Sequence, residues 1–377
     1  MRFCFFGNIS AALKGRTPGG GELQIALLAK ALALKGHEVV IVSPDSVENF
    51  TSPEGIQFIS VPDWNKGLRV IRLFLYRIPR LKKVLIQQNA DYYYVRLRSY
   101  MQIIPFWASK KVAGKFIIAA AHDFDVSSFS KKFKYNYKPK FNLFRFLTFD
   151  LPSDLVFKYL LNQADYILLQ HSGQNTNLNS AKGKIALFPN IFDFSNITPE
   201  PVENPIKDYF VHPGALSILK GTQNLYKLIN LLDKNILIVI VGQPTDKESE
   251  KLYTQLRKIK NVVLKGRLSH KDTIQLISNA KALINTSNFE GFPNIFLEAW
   301  ASGVPVISLN VNPGNVLNKY NLGIYCEGNL NKMKKSIESF KNDGFNKEKL
   351  ISYVSEFHNL DTAGERFLNI INNSQKN

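Results

Sequence analysis

Short apolar runs alternate with helix-length segments from the first residue onward. Residues 2–7 predict a buried strand, residues 22–35 with one apolar face predict the helix that follows, and residues 37–42 predict a second strand. Strands separated by helix-length segments are typical of a parallel sheet with crossover helices. The further strands predicted in the first half of the chain are 55–61, 92–95, 115–121 and 166–170.

Prolines divide the chain near its middle. Residues 188–207 hold four prolines, which excludes a central helix or strand there. The sequence therefore predicts an α/β protein with two doubly wound, Rossmann-like layers. The strands predicted in the second layer are 209–212, 237–241, 262–264, 282–285 and 304–308. The predicted parts are an N-terminal domain 1–190, a linker 191–207, a C-terminal domain 208–355 and a helical segment 356–377, for which packing back onto the first domain is one arrangement.

Composition agrees with this division and excludes several protein classes. Of the 377 residues, 45% are hydrophobic and 21% charged, so the chain can bury two cores and is neither disordered, collagen-like nor a coiled coil. Its apolar runs fall short of the roughly 18 residues that span a bilayer, and its start lacks the apolar core of a secretory signal. Cys4 and Cys326 give no metal-type spacing. We therefore expect a cytoplasmic protein.

Positive charge is concentrated in two apolar stretches. The net charge is +18, and an excess of this size usually indicates an anionic partner or membrane surface. Residues 64–90 and 126–149 contain no acid and combine cations with leucine, isoleucine or aromatic residues. The cations are Lys66, Arg69, Arg72, Arg77, Arg80, Lys82 and Lys83 in the first stretch, and Lys131, Lys132, Lys134, Lys138, Lys140 and Arg145 in the second.

The mixture of cations and apolar residues in these two stretches suits the interface of an anionic membrane. The alternative is an ordinary surface helix whose apolar stripe faces its own core and whose cations are solvated. Nucleic acid is disfavoured as a partner, because the chain shows no helix-turn-helix, zinc-finger or RNP-like pattern around which the cations gather. We therefore expect a peripheral protein at the inner face of the cell membrane.

Glycines and carboxylates mark the candidate chemistry. Gly19, Gly20 and Gly21 stand between a predicted strand and a helix, an arrangement that brings backbone N–H groups and the positive helix end near an anion. In the second domain Glu290 follows a strand and Glu298 lies inside the next helix, and ligands of open α/β sheets bind at such carboxyl ends. Carboxylates accept hydrogen bonds from vicinal hydroxyls. The alternative is a capped helix with two solvated acids.

Several motifs in the second domain resemble one family. Glu-Gly-Phe-Pro at 290–293, Leu-Glu-Ala at 297–299 and Gly-Val-Pro-Val at 303–306 resemble the signature of the retaining glycosyltransferases of family 4, the group 1 glycosyltransferases with a GT-B fold. Further landmarks that agree in order and spacing are 19–22, 220–221 and 266–268. The resemblance implies two Rossmann-like domains facing across a cleft, with a nucleotide-diphosphate sugar held mainly by the second and a glycan or lipid-linked acceptor by the first.

The resemblance also implies roles for individual residues. Glu290 would contact the transferred sugar, Lys220 would neutralise the diphosphate and His122 would lie near the sugar. A cation suits this chemistry, because the leaving group gains charge as the glycosidic bond breaks. The donor-binding residues that it implies are Gly20, Gly21, Arg267, Leu268, Gly291, Phe292, Pro293, Asn294 and Glu298. No metal or other cofactor is expected, and the other histidines receive no role.

One position departs from the family pattern. Ala215 stands where relatives commonly carry an arginine, five residues before Lys220. Either another cation substitutes, with Arg267 and Arg16 as candidates, or turnover is weakened or lost. We predict a metal-independent, retaining, hexosyltransferase-type enzyme of cell-surface polysaccharide synthesis, such as lipopolysaccharide or capsule. The alternative is a nucleotide-binding protein without turnover, whereas a dinucleotide-dependent oxidoreductase lacks its Gly-x-Gly-x-x-Gly fingerprint.

Overall fold

A computed structural model describes residues 1–7, 9, 19–44, 48–68, 71–133, 141–178, 180–197, 206–341 and 344–372. Contacts divide the chain into two compact units. The first comprises Met1–Ile191 with the segment from Leu360 onward, and the second comprises Phe192–Asn359. Among the helices of the described ranges, none is long and apolar enough to cross a bilayer.

The first unit is built on one eight-stranded sheet of order β3-β4-β2-β1-β5-β6-β7-β8. Its strands are β1 (Arg2–Phe6), β2 (Glu38–Ser43), β3 (Phe50–Thr51), β4 (Gln57–Ser60), β5 (Tyr92–Val95), β6 (Lys115–Ala119), β7 (Tyr166–Leu169) and β8 (Lys184–Leu187). Pairing is parallel except between β3 and β4. The central strands are apolar and buried after their first residue because helices cover both faces of the sheet.

Helices connect these strands on the two faces. They are α1 (Gly20–Leu34), α2 (Ile78–Gln87), α3 (Ile103–Lys111), α4 (Phe129–Lys132), α5 (Leu143–Arg145) and α6 (Leu151–Gln163), with 3₁₀ turns at Tyr100–Gln102, Asp123–Asp125 and Ser172–Asn177. On one face α1 packs through Ile25 and Leu28. The opposite face is covered by α2, α3 and α6 through Leu85, Ile104 and Phe157. In a parallel sheet, the amino ends of such crossover helices lie at the carboxyl edge of the strands.

Two of these helices begin with the same unusual turn. Leu73–Arg77 and Phe146–Asp150 form π-helical turns directly before α2 and α6. Proline is the second residue of each helix, at Pro79 and Pro152. Proline lacks the N–H that an α-helical bond needs, and its ring clashes with the carbonyl four residues back, so the preceding turn widens. In both cases the helical backbone therefore continues for one more turn on the amino-terminal side of the proline.

The second unit is built on a six-stranded parallel sheet of order β11-β10-β9-β12-β13-β14. Its strands are β9 (Tyr209–Pro213), β10 (Leu237–Val241), β11 (Val262–Gly266), β12 (Leu283–Asn285), β13 (Val306–Ser308) and β14 (Gly323–Tyr325). Its helices are α7 (Thr222–Leu231), α8 (Lys247–Leu256), α9 (His270–Ser278), α10 (Asn294–Ala301), α11 (Val316–Lys319), α12 (Leu330–Glu338) and α13 (Lys347–Phe357). Trp300 of α10 is fully buried at the centre of one face.

The final helix, α14 (Leu360–Asn372), belongs to the first unit. Phe367 packs against Phe3 and Phe188, with ring centroids 5.9 and 5.7 Å apart. The sequence predicts the start of this segment at 356. The boundary lies instead at Leu360, because His358 is held in the second unit, where its carbonyl accepts a 2.7 Å hydrogen bond from the amide of Phe192.

The predicted architecture of two doubly wound α/β layers is confirmed. The predicted linker 191–207 is mostly assigned to the second unit from residue 192, and 198–205 lie outside the described residues. The sequence missed the strands β3, β8 and β14. These strands are only two to four residues long and are half-buried or exposed, so they lack the continuous apolar run that marks the others.

Candidate functional site

One candidate site lies at the carboxyl edge of the second sheet, between β9 and β12. The strand order reverses direction there, which makes it the topological switch point where ligands of such sheets bind. The loop after β9 carries Lys220, and the loop after β12 carries Glu290. Because these two strands are parallel neighbours, their loops emerge side by side.

Glu290 is fixed by three side chains. Its Oε2 accepts a hydrogen bond from Lys220 Nζ at 2.7 Å, and its Oε1 accepts from Ser287 Oγ at 2.6 Å and from Asn285 Nδ2 at 3.3 Å. The Glu290 side chain is 10% exposed, against 42% for Lys220. The carboxylate is therefore held in place, while the ammonium reaches solvent and can meet an anion.

The charge of Glu290 is set by this environment. Burial alone would raise the pKa of its carboxyl, but the Lys220 ammonium and the hydrogen bonds from Lys220, Ser287 and Asn285 outweigh burial and hold the pKa below its ordinary value. Glu290 is thus ionised at neutral pH and acts as a hydrogen-bond acceptor. An anion fixed beside a cation can hold sugar hydroxyls while the cation neutralises phosphate oxygens.

Gly221 allows the two loops to approach each other. It precedes α7 with a φ of 69°, and a Cβ on it would lie 1.9 Å from the carbonyl oxygen of Thr286. His212, at the end of β9, contacts the Thr286 hydroxyl at 3.2 Å. Burial lowers the pKa of His212 to about 4, so its imidazole is neutral at physiological pH. The packing beside the Lys220–Glu290 pair is therefore close and uncharged.

The second predicted carboxylate, Glu298, has a histidine partner. Glu298 lies in α10 with 9% of its side chain exposed, and its Oε1 is 3.1 Å from Nε2 of His270. The hydrogen bond that the His270 imidazole donates to Glu298 raises the pKa of His270 against the opposing effect of burial. Ser269 caps the amino end of α9 and so places His270 directly after β11, at the carboxyl edge of the sheet. The imidazole therefore orients the carboxylate.

The segment 291–294 leads into α10. The ring of Phe292 is buried, with centroids 6.2 Å from Trp300 and 5.0 Å from His358. Because this ring is buried in the core, the predicted contact between Phe292 and the donor would have to use its backbone atoms. Pro293 precedes the first helical residue, Asn294, and the amino end of a helix presents backbone amides and a positive dipole end that suit phosphate.

Among the described residues, the region of the missing arginine holds no substitute that is fixed in place. Ala215 is exposed at the end of β9, after Gly214. Of the two cations proposed as replacements, Arg16 lies outside the described residues, and Arg267 is exposed directly after β11. Leu268, its neighbour, packs partly against the core. The described residues thus bring one cation, Lys220, into contact with Glu290.

A second group of polar residues lies at the carboxyl edge of the first sheet. His122 follows β6, and its Nδ1 accepts a hydrogen bond from the amide of Phe124 at 3.1 Å, so a neutral imidazole carries its proton on Nε2. Asp125 accepts from the amides of Ala121 and His122 at 2.8 and 2.9 Å. These bonds fix the backbone of the His122 loop.

Asp123 joins this loop to the next one. Its Oδ1 lies 2.9 Å from Nε2 of His171 and accepts from Nε2 of Gln174 at 3.0 Å. Both acids of the Asp-x-Asp sequence at 123 and 125 are thus engaged with protein groups. In the parts of the chain that the structure describes, no three His, Cys, Asp or Glu side chains are arranged to hold a metal.

The predicted glycines lie at the same edge of the first unit. Gly20 and Gly21 begin α1. A Cβ on Gly21 would lie 2.5 Å from Cδ2 of Leu97 and 3.9 Å from Cβ of Ala121. The amino end of α1 therefore packs beside the loops that follow β5 and β6, next to His122.

The structure brings part of the predicted site together. Lys220 meets Glu290, and Glu298 lies in the following helix, whereas His122, Gly20 and Gly21 belong to the first unit. Sequence reasoning missed Ser287, Asn285 and His270. The signal for His270 was present, because a serine followed three residues later by an acid, Ser269 and Asp272, marks a helix start.

Comparison with known families identifies the chain. Residues 193–357 match the family described as glycosyl transferases group 1, and residues 18–170 match glycosyltransferase family 4. The chain belongs to the group 1 glycosyltransferases. Each match falls on one unit, so both units of this glycosyltransferase carry a family signature, as the motifs predicted.

Two curated relatives are glycosyltransferases by name. The chain is 28% identical to an uncharacterized glycosyltransferase of Methanocaldococcus jannaschii over 42% of its length. It is 26% identical over 85% of its length to one of the subunits of phosphatidylinositol N-acetylglucosaminyltransferase from Homo sapiens. The matches span 43% and 65% of these relatives, less than two thirds of either.

Solved structures share the fold of this glycosyltransferase. Sucrose-phosphate synthase from Thermosynechococcus elongatus has a TM-score of 0.77 at 14% identity over 99% of both chains. Anabaena HepE in complex with UDP and glucose has a TM-score of 0.70 at 14% identity over 99% of this chain and 100% of that one. WaaG, a glycosyltransferase involved in lipopolysaccharide biosynthesis, has a TM-score of 0.69 at 16% identity over 98% and 99%. The predicted GT-B fold is thus confirmed.

Proposed function

We propose that this glycosyltransferase moves a hexosyl group from a nucleotide-diphosphate sugar to a glycan or lipid-linked acceptor with retention of configuration. The observation that carries the proposal is the Lys220–Glu290 ion pair at the switch point of the second sheet, where a fixed carboxylate lies beside a partly exposed ammonium. Membership of the group 1 glycosyltransferases supports the reaction class.

In this proposal each group of the second unit has one task. The Lys220 ammonium neutralises the diphosphate as it leaves, and the amino end of α10 adds backbone amides for the phosphate oxygens. Glu290 accepts hydrogen bonds from hydroxyls of the transferred sugar. Glu298, oriented by His270, accepts from the ribose hydroxyls. A solved structure of the same fold, Anabaena HepE, binds UDP and glucose, which supports a donor of this class.

The proposed retention follows from attack on the face that the leaving group vacates. The acceptor oxygen forms a bond to the anomeric carbon as the bond from that carbon to the phosphate oxygen breaks, and the acceptor proton passes to the departing phosphate. Lys220 stabilises the charge that develops on the phosphate. In this scheme the protein cation takes the place that a metal ion has in other transferases, so we propose metal-independent transfer.

The acceptor and the place of action are proposed from the first unit. The stretches 64–90 and 126–149 combine cations with exposed apolar side chains, which supports peripheral association with the anionic inner face of the cell membrane. WaaG, a structure of the same fold, is involved in lipopolysaccharide biosynthesis, which supports a role in cell-surface polysaccharide synthesis.

A thermal-shift panel tests the donor site. UDP, GDP, ADP and dTDP are added to the wild type, to Glu298→Ala and to the control Glu356→Ala, which alters an exposed acid of α13. A ligand at about 100 times its Kd adds about 2.7 kcal/mol of stability. We expect one nucleotide to raise the Tm of the wild type and of Glu356→Ala but not of Glu298→Ala. A panel without any shift contradicts the proposed donor site.

A nucleotide-binding protein without turnover is the second candidate function. Ala215 favours it, because the position lacks the arginine that relatives commonly use beside the phosphates. Donor hydrolysis separates the two candidates once the nucleotide is known. Release of free sugar that depends on Lys220 supports the enzyme, whereas a Tm shift without any sugar release supports binding alone.

A further inference from the structure

Exposed apolar side chains are distributed unequally between the two units. Among the described residues, nineteen large apolar side chains are exposed, and eighteen of them belong to the first unit. The remaining one is Leu231 of α7. Contiguous exposed apolar surface in a water-soluble fold marks an interaction site. The first unit therefore has a surface that its own core does not explain.

Most of these side chains precede α2 or α6. We call them the apolar rim, which comprises Leu68, Ile71, Phe74 and Leu75 before α2, and Phe129, Phe133, Phe141, Leu143, Phe144, Leu147 and Phe149 before α6. Phe74 and Phe144 are the most exposed aromatic members, at 68% and 78%. Some residues of each group lie on the π-helical turns Leu73–Arg77 and Phe146–Asp150, which directly precede α2 and α6.

The two groups of the rim lie at the same edge of the same sheet. Both α2 and α6 cover the same face, and their amino ends lie at the carboxyl edge of the parallel strands. Between them, at the start of α3, the ring of Tyr100 packs edge-on against Phe149 with centroids 5.7 Å apart. That edge also holds the His122 loop. The rim and the His122 loop thus share one side of the first unit.

The charge around the rim is positive. Neither stretch, 64–90 nor 126–149, contains an acid. Lys66, which precedes α2, and Lys82 and Lys83, which lie in α2, are exposed. The arginines of that stretch that the structure describes are engaged within the protein instead: Arg72 donates to the carbonyl of Gly67 at 2.8 Å, Arg77 donates to the carbonyl of Trp64 at 3.1 Å, and Arg80 pairs with Asp63 at 2.8 Å. The exposed lysines are therefore left to face an anionic surface.

Lys132 is not part of this charged surface. The sequence grouped it with the interfacial cations, but only 7% of its side chain is exposed. Burial lowers its pKa even though its Nζ donates to Asp154 Oδ1 at 3.2 Å. Its Nζ also lies 3.4 Å from the carbonyl oxygen of Asp125, which caps the His122 loop. Lys132 thus links α4 to the His122 loop. Lys131, Lys134, Lys138 and Lys140 lie outside the described side chains.

We propose that the apolar rim inserts into the interfacial layer of an anionic phospholipid bilayer, both groups together, and presents the His122 loop to an acceptor that is anchored in that bilayer. Leucine and phenylalanine flanked by lysine suit a bilayer interface, where apolar side chains enter the acyl boundary and cations meet lipid phosphates. The second half of this inference rests on the proposed function and selects the lipid-linked acceptor over a soluble glycan.

Vesicle co-sedimentation tests the rim. The full chain is mixed with phosphatidylcholine vesicles that contain about 30 mol% phosphatidylglycerol. The variants are Phe144→Ser, Leu75→Ser and the double variant. The controls Leu187→Ser and Leu231→Ser remove leucines that are 55% and 43% exposed outside the rim. Because all four residues are exposed, we expect the variants to fold, which far-UV circular dichroism checks.

The expected results follow from burial of apolar surface. Each single rim variant weakens vesicle binding about ten- to hundredfold. Because both groups insert, the fold-loss of binding in the double variant equals the product of the two single losses. The controls bind as the wild type does. Raising the salt from about 0.1 to about 0.5 M weakens binding of every variant by screening the lysines.

Several results would overturn the proposal. Wild-type protein that does not sediment with anionic vesicles excludes the bilayer as the occupant, and self-association through the same residues would assign the rim to a protein contact instead. Equal losses in rim variants and controls would show that the rim is not the contact. A double variant no weaker than Phe144→Ser would show that one group inserts alone.

A labelled donor tests the acceptor. Membranes and soluble fraction of the source cells are incubated separately with the protein and the nucleotide sugar that the thermal-shift panel selects. Label that becomes extractable into chloroform–methanol supports the bilayer-anchored acceptor, and label found only in aqueous glycan overturns it. The donor shift is measured in the same samples. A donor shift without vesicle binding rejects the rim and the proposed membrane association but leaves the proposed donor site and transfer reaction standing. The absence of a donor shift rejects that donor site itself.

Discussion

Both units place loops at the carboxyl edge of a parallel sheet, but the side chains on those loops differ. In the second unit Glu290 and Glu298 are nearly enclosed, and each has a nitrogen partner within 3.1 Å. In the first unit Phe74 and Phe144 stand in solvent at the corresponding edge. Fixed charges select one ligand geometry, whereas exposed apolar side chains near lysines suit an extended, fluid surface. Under the two proposals above, the same architecture binds a defined small molecule in one unit and an interface in the other.

The largest expected effect is a loss of stability when a buried ion pair of the first unit is broken. Asp154 accepts hydrogen bonds from Arg98 at 2.5 Å and from Lys132 at 3.2 Å, with 6% of its side chain exposed. Asp154→Asn leaves two cations without their counterion and should lower the free energy of unfolding by about 3 kcal/mol, as urea unfolding would show.

A matched control for Asp154→Asn is Asp63→Asn. Asp63 pairs with Arg80 at 2.8 Å but is 43% exposed, so its loss should cost less than about 1 kcal/mol. Equal losses in the two variants would mean that the buried ion pair does not support the first unit.

The next effect concerns the second unit. Lys220→Met removes the cation beside Glu290 and should lower kcat for sugar transfer about 100- to 1000-fold, because the charge on the leaving diphosphate is no longer stabilised. Vesicle binding should not change, because the site of the second unit and the apolar rim of the first unit are expected to act independently. Lys227→Met, at an exposed position of α7, serves as the control. A Lys220→Met enzyme with wild-type kcat would contradict the role assigned to the ion pair.

A smaller effect is expected where the loops of the second unit meet. Gly221→Ala should lower the free energy of unfolding by more than about 2 kcal/mol, because the left-handed backbone alone costs about 1–2 kcal/mol and the new Cβ meets the Thr286 carbonyl. Gly36→Ala is the control, since Gly36 has a φ of 77° and open space around it. Equal losses of stability in the two variants would show that the close contact between Gly221 and the Thr286 carbonyl does not contribute to the cost.

The smallest effect is a pH dependence of the second edge. The pKa of His270 is raised in the folded state by Glu298. The stabilisation is therefore fully present below the unfolded pKa of 6.5 and is lost as the pH rises through the folded value. His270→Gln should cost under about 1 kcal/mol in acid, since the imidazole is partly exposed, and nothing in alkali. Urea unfolding at acid, neutral and alkaline pH measures it, and a cost that grows with pH would contradict the assignment.

The fold could be predicted because most of its central strands are buried on both faces and therefore mainly apolar. The run 237–241 was predicted with the bounds that the structure gives, and 92–95 likewise. The edge strand β8 was not predicted, because its residues are half-buried or exposed and form no continuous apolar run. Its parallel pairing with β7 holds it in the sheet.

The site was harder to predict because its contacts join distant positions. The motif indicated Glu290 and Glu298, but His270 lies 28 residues before Glu298 and contacts it only through the order of the strands. Lys132 resembled its neighbour Lys131 in the sequence. The burial of Lys132 depends on its contact with Asp154, 22 residues further on, and no local pattern contains that information.

The position of α14 also has a consequence for the order in which the protein folds during synthesis. Its residues Phe367 and Ile371 complete the core of the first unit, and the carbonyl of Ile371 accepts a hydrogen bond from Tyr166 at 3.0 Å. The entire second unit is translated between Ile191 and Leu360.

Because the ribosome makes residues 192–359 before α14, the second unit is a continuous segment that can reach its final packing first. Until Phe367 leaves the ribosome, part of one apolar face of the first unit's sheet stays uncovered, since α1 and α14 cover that face together. The part that is begun first is thus finished last, and a nascent chain halted after the second unit would display its unfinished face to chaperones.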